Sequence, residues 1–297
     1  MRAAMEDETT MSQVSGRVVE VREMCVHDGP GVRTTVFLQG CPLRCAWCQN
    51  PEATGIRPVL LVPTAACRHC GTCVRHCPHG CDPKACDACG ACTRVCPEGC
   101  RRLCGGTMTA SELASRLLRQ ADFLLERGGV TFSGGEPMMQ PEFVLAVSRL
   151  VKPLHLAIET CGHAAPDVYR KVIAAMDYVH QDVKLMDDGQ HRRLTGQGNA
   201  LILENVRWLL AEGGRPCVIR VPLIPAVSDT HDNLAAVAAL CAGARWLQRV
   251  ELLPYYFAAG AKYRLLGLDY RPPFDESAPC RPDVSVFAEA GVPCQVM

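Results

Sequence analysis

The sequence has no excess of charge, no long apolar run and no segment that resembles an export signal. Its 31 Lys and Arg balance its 31 Asp and Glu, so it offers neither a basic surface for nucleic acid nor an acidic solvating tail. No apolar run approaches the ~18–20 residues that span a bilayer. Residues 1–15 are polar and acidic, unlike a signal peptide with its basic start and apolar centre. We expect a disordered lead at 1–15 and a cytoplasmic protein without nucleic acid or membrane as partner.

Cysteine is abundant, with 20 residues in a chain of 297 that is 48% hydrophobic. In a secreted chain so many cysteines would indicate a disulfide framework. Here they fall in C-x2-C and C-x3-C clusters, which are too tight to connect distant segments but can wrap thiolates around one inorganic cluster. The pattern favours metal or cluster binding in a chain that still has a large apolar core.

One segment differs in composition from the rest of the chain. Residues 62–106 contain eleven of the cysteines and few large apolar residues, so we expect bound metal to hold them together. We therefore predict an inserted domain at 62–106 within a larger domain formed by residues 16–61 and 107–297.

From residue 107 onward, helical patterns alternate with short β-rich runs. The predicted strands are 130–133, 154–159, 178–183, 217–222 and 249–253. The predicted helices are 109–126, 140–151, 165–176, 202–213 and 230–243. This alternation predicts an α/β fold, with helices outside a parallel sheet. About six βα units fit, fewer than the eight of a closed barrel.

The cysteine-rich segment contains an internal repeat with an offset of 19 residues. Each half reads C-x2-C-x2-C-x3-C-P, which resembles the bacterial two-cluster ferredoxins, where the fourth cysteine of each run binds the other cluster. That resemblance assigns one [4Fe–4S] cluster to Cys67, Cys70, Cys73 and Cys96. It assigns the second to Cys86, Cys89, Cys92 and Cys77. A zinc ribbon, the alternative, would use C-x2-C pairs without a third cysteine in register.

Other cysteines have less definite roles. Cys81 and Cys100 obey the same repeat, and we interpret them as small packing residues. Cys104 has no assignment. The isolated cysteines are predicted to be ordinary buried thiols, and they are Cys25, Cys161, Cys217, Cys241, Cys280 and Cys294.

An earlier motif carries a different chemistry. Cys41, Cys45 and Cys48 can bind three irons of a cubane and leave the fourth iron without a protein ligand. With the aromatic Trp47 before the last cysteine, the motif resembles the radical S-adenosylmethionine (SAM) superfamily. The resemblance implies that SAM chelates the open iron and that one electron splits a carbon–sulfur bond to give a 5′-deoxyadenosyl radical. Because open clusters oxidise readily, we expect an oxygen-poor habitat.

A Gly-Gly-Glu-Pro segment follows the predicted strand 130–133. Gly134 and Gly135 have no Cβ, so backbone can approach a ligand closely there. Glu136 can pair with an ammonium group. On its own the segment would be interpreted as a turn. After the cysteine motif, it resembles the element with which the superfamily binds the methionine amine.

Further segments resemble the glycyl-radical-enzyme activating enzymes, relatives of pyruvate formate-lyase activase. They are residues 27–33, 49–52, 159–162, 182–187, 220–222 and 253–267. By this resemblance Asp182 and Lys184 contact the carboxylate and ribose side of SAM. Arg220 lies near the cofactor, and Tyr256 stacks on adenine. Without the other motifs, Asp182 and Lys184 would be a solvated ion pair worth ~0–1 kcal/mol, and Arg220 a structural ion-pair partner.

The same resemblance implies a cation and a protein partner. Glu159, Thr160 and Asp182 would hold a monovalent cation, although Glu159 replaces a shorter Asp of pyruvate formate-lyase activase. Asp28 would face the glycine loop of the partner. Pyruvate formate-lyase activase also has a His at the position of Tyr256, and it lacks the ferredoxin-like insertion.

Together these resemblances predict a partial (β/α)6 radical-SAM barrel with a small inserted ferredoxin-like domain. The expected function is activation of a glycyl radical enzyme, using SAM, three [4Fe–4S] clusters and an electron from flavodoxin or ferredoxin. The alternatives are a radical SAM enzyme acting on a small molecule or peptide, and a ferredoxin-type electron carrier with a vestigial barrel.

Overall fold

A computed structural model describes residues 12–62, 66–82 and 85–297. Most of the lead expected at residues 1–15 lies outside these ranges. At its end, Val14 O accepts a hydrogen bond from Ala110 N at 2.7 Å, and the first strand begins at Ser15. None of the helices in the described ranges combines the length and the apolar character needed to cross a bilayer.

The strands of the described chain are β1 (Ser15–Cys25), β2 (Val32–Leu38), β3 (Val59–Leu61), β4 (Arg102–Cys104), β5 (Gly106–Thr109), β6 (Gly128–Gly134), β7 (Leu156–Thr160), β8 (Tyr178–Asp182), β9 (Cys217–Leu223), β10 (Leu247–Pro254) and β11 (Cys294–Val296). Nine of them form a central sheet in the order β11-β10-β9-β8-β7-β6-β2-β1-β5, while β3 and β4 form a separate two-stranded sheet. β2 and the six strands β6 to β11 run parallel to one another. β1 and β5 add two antiparallel strands at the β2 edge of the sheet. The open sheet confirms the predicted α/β fold with a partial barrel.

The helices are α1 (Thr72–His76), α2 (Ala91–Arg94), α3 (Ala110–Leu118), α4 (Ala121–Arg127), α5 (Pro141–Leu150), α6 (Pro166–Ala174), α7 (Asp188–Thr195), α8 (Ala200–Glu212), α9 (His231–Cys241), α10 (Ala259–Leu265) and α11 (Ser285–Glu289). α1 and α2 lie in the cysteine-rich segment, and the later helices lie between strands of the sheet. The strands of the sheet are buried on both sides, as shown by Phe132, Ile158 and Ile219, each 0% exposed. Burial on both faces is what parallel sheets with outer helices require.

All five predicted strands are present, with ends within two residues of the prediction. The predicted helix 109–126 is wrong in one respect, because it is two helices, α3 and α4. Thr109 forms the expected capping box with Glu112, but Gln120 leaves helical geometry at φ −113° and ψ 17°. The Gln120 side chain instead accepts a hydrogen bond from Thr34 of β2 at 3.2 Å, which ties the break to the sheet.

The cysteine-rich segment folds as two similar halves. α1 and α2 occupy equivalent places in the repeat, and the short ladder β3–β4 joins the chain just before the segment to the end of the segment. Arg68 pairs with Glu98 at 2.9 Å, and His79 pairs with Asp87 at 3.3 Å. Arg68 and Asp87 are 19 residues apart, as are His79 and Glu98, so they occupy equivalent positions of the repeat. Exchanging the two halves therefore converts one pair into the other, and the halves are related by an approximate twofold.

Candidate active site

A cavity of about 310 Å³ lies where the parallel strands β2 and β6–β10 end. Its walls contain ten of the residues that the sequence assigns to the cluster and cofactor, namely Cys41, Cys45, Trp47, Cys48, Gly134, Gly135, Thr160, Asp182, Lys184 and Arg220. These residues are scattered over nearly 180 positions of sequence. The parallel topology brings them together, because the carboxyl ends of such strands meet at one edge.

Backbone hydrogen bonds fix the cysteine loop. Cys41 N donates to Thr54 O at 3.1 Å, and Ala46 N donates to Leu194 O at 2.9 Å. Trp47 is 5% exposed and packs with Leu185, Leu194 and Ile224. The loop is therefore held both by the chain that follows it and by the end of α7, and Trp47 closes one side of the cavity.

The three thiols of this loop fit an iron–sulfur cluster. Desolvation raises the pKa of Cys41 to about 12 and those of Cys45 and Cys48 to about 11. Such thiols keep their protons at neutral pH until a metal displaces them. The positive charge of Lys184 lowers the pKa of each of them and so favours the thiolates. Among the described residues, no three His, Cys, Asp or Glu side chains converge closely enough for a single metal ion; a cubane holds its thiolates at separate corners.

The two glycines of the Gly-Gly-Glu segment serve the chain's own packing. A Cβ on Gly134 would lie 2.2 Å from Leu38 N, and a Cβ on Gly135 would lie 2.3 Å from Gly40 O. Gly134 also has a φ of +116°, which favours glycine. The glycines therefore let β6 approach β2 and the start of the cysteine loop, while their backbone lines the cavity.

Glu136 lies behind the cavity wall and is 0% exposed. Its carboxylate accepts hydrogen bonds from Thr160 Oγ1 at 2.7 Å, Cys161 N at 2.7 Å and Met138 N at 3.0 Å. Burial raises its pKa, although these donors oppose the shift. In this structure the carboxylate ties the end of β7 to the Gly-Gly turn.

Asp182 and Lys184 form an ion pair in the cavity wall. Lys184 Nζ lies 2.7 Å from Asp182 Oδ2, and the lysine side chain is only 13% exposed. Burial lowers the pKa of Lys184, but the charge of Asp182 and its hydrogen bond outweigh that effect and the pKa is raised. Lys184 is thus a permanent cation facing the three thiols.

Arg220 belongs to a network of buried charges as well as to the cavity wall. Its guanidinium lies 2.5 Å from Glu159 Oε1 and 2.8 Å from Glu251 Oε2. It also donates to His27 O at 2.5 Å. Glu159 accepts a further hydrogen bond from Ser133 at 2.6 Å. Arg220 therefore has the structural ion-pair partners considered from sequence and lines the cavity too.

Besides Glu136, two more predicted residues lie outside the cavity wall. Tyr256 is 62% exposed, and its carbonyl oxygen accepts a hydrogen bond from Gln49 at 3.2 Å. Asp28 is half-buried and accepts a hydrogen bond from Thr35 Oγ1 at 2.6 Å. The sequence interpretation missed Cys161, which is buried as predicted but also lines the cavity. Its position directly after β7 was the available signal.

A second cavity, of about 210 Å³, lies in the cysteine-rich segment. Its lining includes the four cysteines that the ferredoxin resemblance assigns to one cluster, Cys67, Cys70, Cys73 and Cys96. The fourth of these comes from the other half of the repeat and lies beside the three cysteines of the first half. The chemistry of four thiols around one cavity fits a [4Fe–4S] cluster.

Comparison with known proteins agrees with this geometry. The radical SAM superfamily matches residues 35–238. The isethionate sulfite-lyase activating enzyme of Nitratidesulfovibrio vulgaris is 36% identical and aligns over 86% of this chain and 88% of its own. The trans-4-hydroxy-L-proline dehydratase activating enzyme of Clostridioides difficile is 38% identical, over 83% and 86% of the two chains. A radical SAM methyltransferase structure from Sphaerobacter thermophilus shares the fold, with a TM-score of 0.52, 15% identity and coverage of 100% and 81%.

The chain belongs to the radical SAM superfamily. Membership implies a [4Fe–4S] cluster and SAM, and the residues around the first cavity fit both. Within the superfamily it is a glycyl-radical-enzyme activating enzyme, as its curated relatives are.

Proposed function

We propose that this enzyme activates a separate glycyl radical enzyme by reductive cleavage of SAM at a cluster held by Cys41, Cys45 and Cys48. When bound, the cluster supplies the electron that breaks a carbon–sulfur bond of SAM, and the resulting 5′-deoxyadenosyl radical takes a hydrogen atom from a glycine of the partner. The observation that carries the proposal is the convergence of the three thiols, the glycine backbone and the Lys184 cation on one cavity.

The chain's own residues bind, orient and exclude water. Lys184 offers a fixed positive charge for the methionine carboxylate, and Asp182 holds it in place. Gly134 and Gly135 present bare backbone to the cofactor. The packed Trp47 keeps one wall apolar, which favours a dry site for radical chemistry.

We further propose two [4Fe–4S] clusters in the cysteine-rich segment, three in all. The cavity lined by Cys67, Cys70, Cys73 and Cys96 supports the first of them. A flavodoxin or ferredoxin would supply electrons to these clusters, which relay them to the first. We also propose a cytoplasmic location and a monovalent cation near Asp182. The Asp182 and Glu159 carboxylates already pair with Lys184 and Arg220, so such a cation would share their oxygens with these side chains.

Anaerobic reconstitution tests the proposal. The wild-type chain should bind about 12 irons as three four-iron clusters and form 5′-deoxyadenosine from SAM with a strong chemical reductant. Cys45→Ala should lose about four irons and that product, whereas Cys294→Ala, at the edge strand β11, should keep both. Deoxyadenosine formed by the Cys45→Ala variant would refute the assigned site. If the enzyme converts a peptide or small molecule but forms no glycyl radical on any glycyl radical enzyme, the proposed partner is wrong.

A further inference from the structure

Helix α10 contacts the turn that follows the cluster motif. Lys262 of α10 places its Nζ 2.7 Å from Asn50 Oδ1 and 2.5 Å from Glu52 Oε1. These contacts join parts of the chain that are more than 200 residues apart. Lys262 itself does not line the first cavity, so any effect it has on the site passes through the turn.

The turn contacts the cysteine loop on both sides of the motif. Residues Pro51–Ala53 form a buried 3₁₀ turn. Gly40, the residue before the motif, donates from its N–H to Ala53 O at 2.7 Å. After the motif, Asn50 lies two residues beyond Cys48 and lines the first cavity. The position of this turn therefore sets where the two ends of the motif lie.

Lys262 supplies the charge that this turn needs. Glu52 is 9% exposed, and a buried carboxylate without a counter-ion is costly. Of the ion pairs within the described ranges, only the pair with Lys262 involves Glu52. The other carboxylate oxygen of Glu52 is buried and accepts no hydrogen bond from the described residues. An ammonium can only donate, so Lys262 also fixes the Asn50 amide with its oxygen toward α10.

Other contacts anchor α10 independently of this turn. Leu265 O accepts a hydrogen bond from Val62 N, at the start of the cysteine-rich segment, at 2.8 Å. The rings of Tyr263 and Tyr270 pack with their centroids 4.7 Å apart. Lys262 therefore reaches the turn from a helix that is already held in place.

We propose that Lys262 is a positioning residue for the radical-generating cluster. Through Asn50 and Glu52 it holds the turn that keeps Cys41 and Cys48 where the cluster can meet SAM. The inference rests on the proposed function only in requiring a cluster that binds SAM at the first cavity. Alignment matters there because a displacement of about 1 Å can cost about 10²-fold in rate.

Electron paramagnetic resonance of the reduced, reconstituted full chain tests this inference. The change in signal on adding SAM comes from the cluster that binds SAM, so the insertion clusters do not obscure it. Lys262→Met removes the ammonium and keeps a long side chain, whereas Lys262→Arg keeps a cation. The double variant Lys262→Met with Glu52→Gln also removes the buried charge and so separates positioning from stability. Lys171→Met is the matched control, because Lys171 pairs with Glu142 at the surface.

With saturating SAM and a strong chemical reductant, Lys262→Met should form deoxyadenosine ~10–100-fold more slowly and show a smaller change in signal on adding SAM. Lys262→Arg and Lys171→Met should match the wild type in both respects. Lys262→Met should also unfold at a lower urea concentration than the wild type. The double variant should recover that stability, because it leaves no unpaired carboxylate, while its rate and its signal stay impaired.

A wild-type rate and signal in Lys262→Met would overturn the inference alone. Recovery of the rate and the signal in the double variant would overturn it too, because Lys262 would then only stabilise the fold. A wild-type signal that does not respond to SAM would overturn it together with the proposed function.

Discussion

Gly135 lies against Gly40, the residue before the first cysteine of the cluster motif, and a Cβ on Gly135 would stand 2.3 Å from Gly40 O. Glu136 N also donates to Gly40 O at 2.8 Å. Two motifs nearly a hundred residues apart in the chain are therefore in direct backbone contact. The position of the cysteine loop depends on the small size of Gly135.

Gly135→Ala should displace the cysteine loop, because the nearest atoms to the new methyl group belong to backbone. We expect a loss of about 1–3 kcal/mol in the free energy of unfolding and reduced iron at the first cluster. Gly55→Ala is the matched control, since nothing lies within 4 Å of its Cβ. Iron content and urea unfolding of both variants measure the effect, and equal behaviour of the two would contradict the steric argument.

Lys184→Met should weaken both SAM binding and the fold, because it leaves the partly buried Asp182 without its partner. Each of Lys184→Met and Asp182→Asn should cost about 1–3 kcal/mol of unfolding free energy. The double variant should cost less than their sum, by ~0.5–3 kcal/mol. Lys171→Met is the control, since Lys171 and Glu142 are exposed and such a pair is worth ~0–1 kcal/mol. Additive losses would mean that the two side chains do not interact.

The Glu159 carboxylate should make stability depend on acid pH. Burial acts to raise its pKa, but the hydrogen bond to His180 and the charge of Arg220 outweigh it and hold the pKa at about 2, below the ordinary 4.5. A depressed pKa gives stability that is complete above the unfolded value and is lost as pH falls through the folded value. The stability difference between metal-free wild type and Glu159→Gln should therefore shrink between about pH 4.5 and about pH 2. A difference that stays constant across this window would contradict the assignment.

Cys67→Ala and Cys86→Ala should each lose about four irons and still form deoxyadenosine when a strong chemical reductant replaces the protein donor. The reason is that the two cavities are separate, with no cysteine in common. With flavodoxin or ferredoxin as the donor, both variants should be slowed. Loss of deoxyadenosine with the chemical reductant as well would mean that the insertion does more than relay electrons.

Much of the fold could be predicted because the chain repeats simple patterns. The five strands of the second part are short apolar runs separated by amphipathic helices, and each was located to within two residues. α7 was missed because it is mostly polar and buries little beyond His191, Leu194 and Thr195. The end of α7 accepts backbone hydrogen bonds from Arg44 N and Ala46 N of the cysteine loop, and a local sequence pattern does not contain such contacts.

The sequence predicted which residues lie together in the site. It did not predict most of the hydrogen bonds and ion pairs that each of them forms. Resemblance of the motifs to a known family predicted that Cys41, Gly135, Asp182 and Arg220 would meet, and all four line one cavity. The partners of Glu136 and the pairing of Arg220 with Glu251 depend on tertiary distances between strands, which no sequence spacing encodes.

The most direct test of the proposed function uses electron paramagnetic resonance. The reconstituted enzyme is mixed, under reducing anaerobic conditions, with SAM and a candidate glycyl radical enzyme from the same organism. The account predicts the doublet of a glycyl radical on that partner, present with the wild-type chain and absent with Cys45→Ala. Steady formation of deoxyadenosine without a doublet would contradict it.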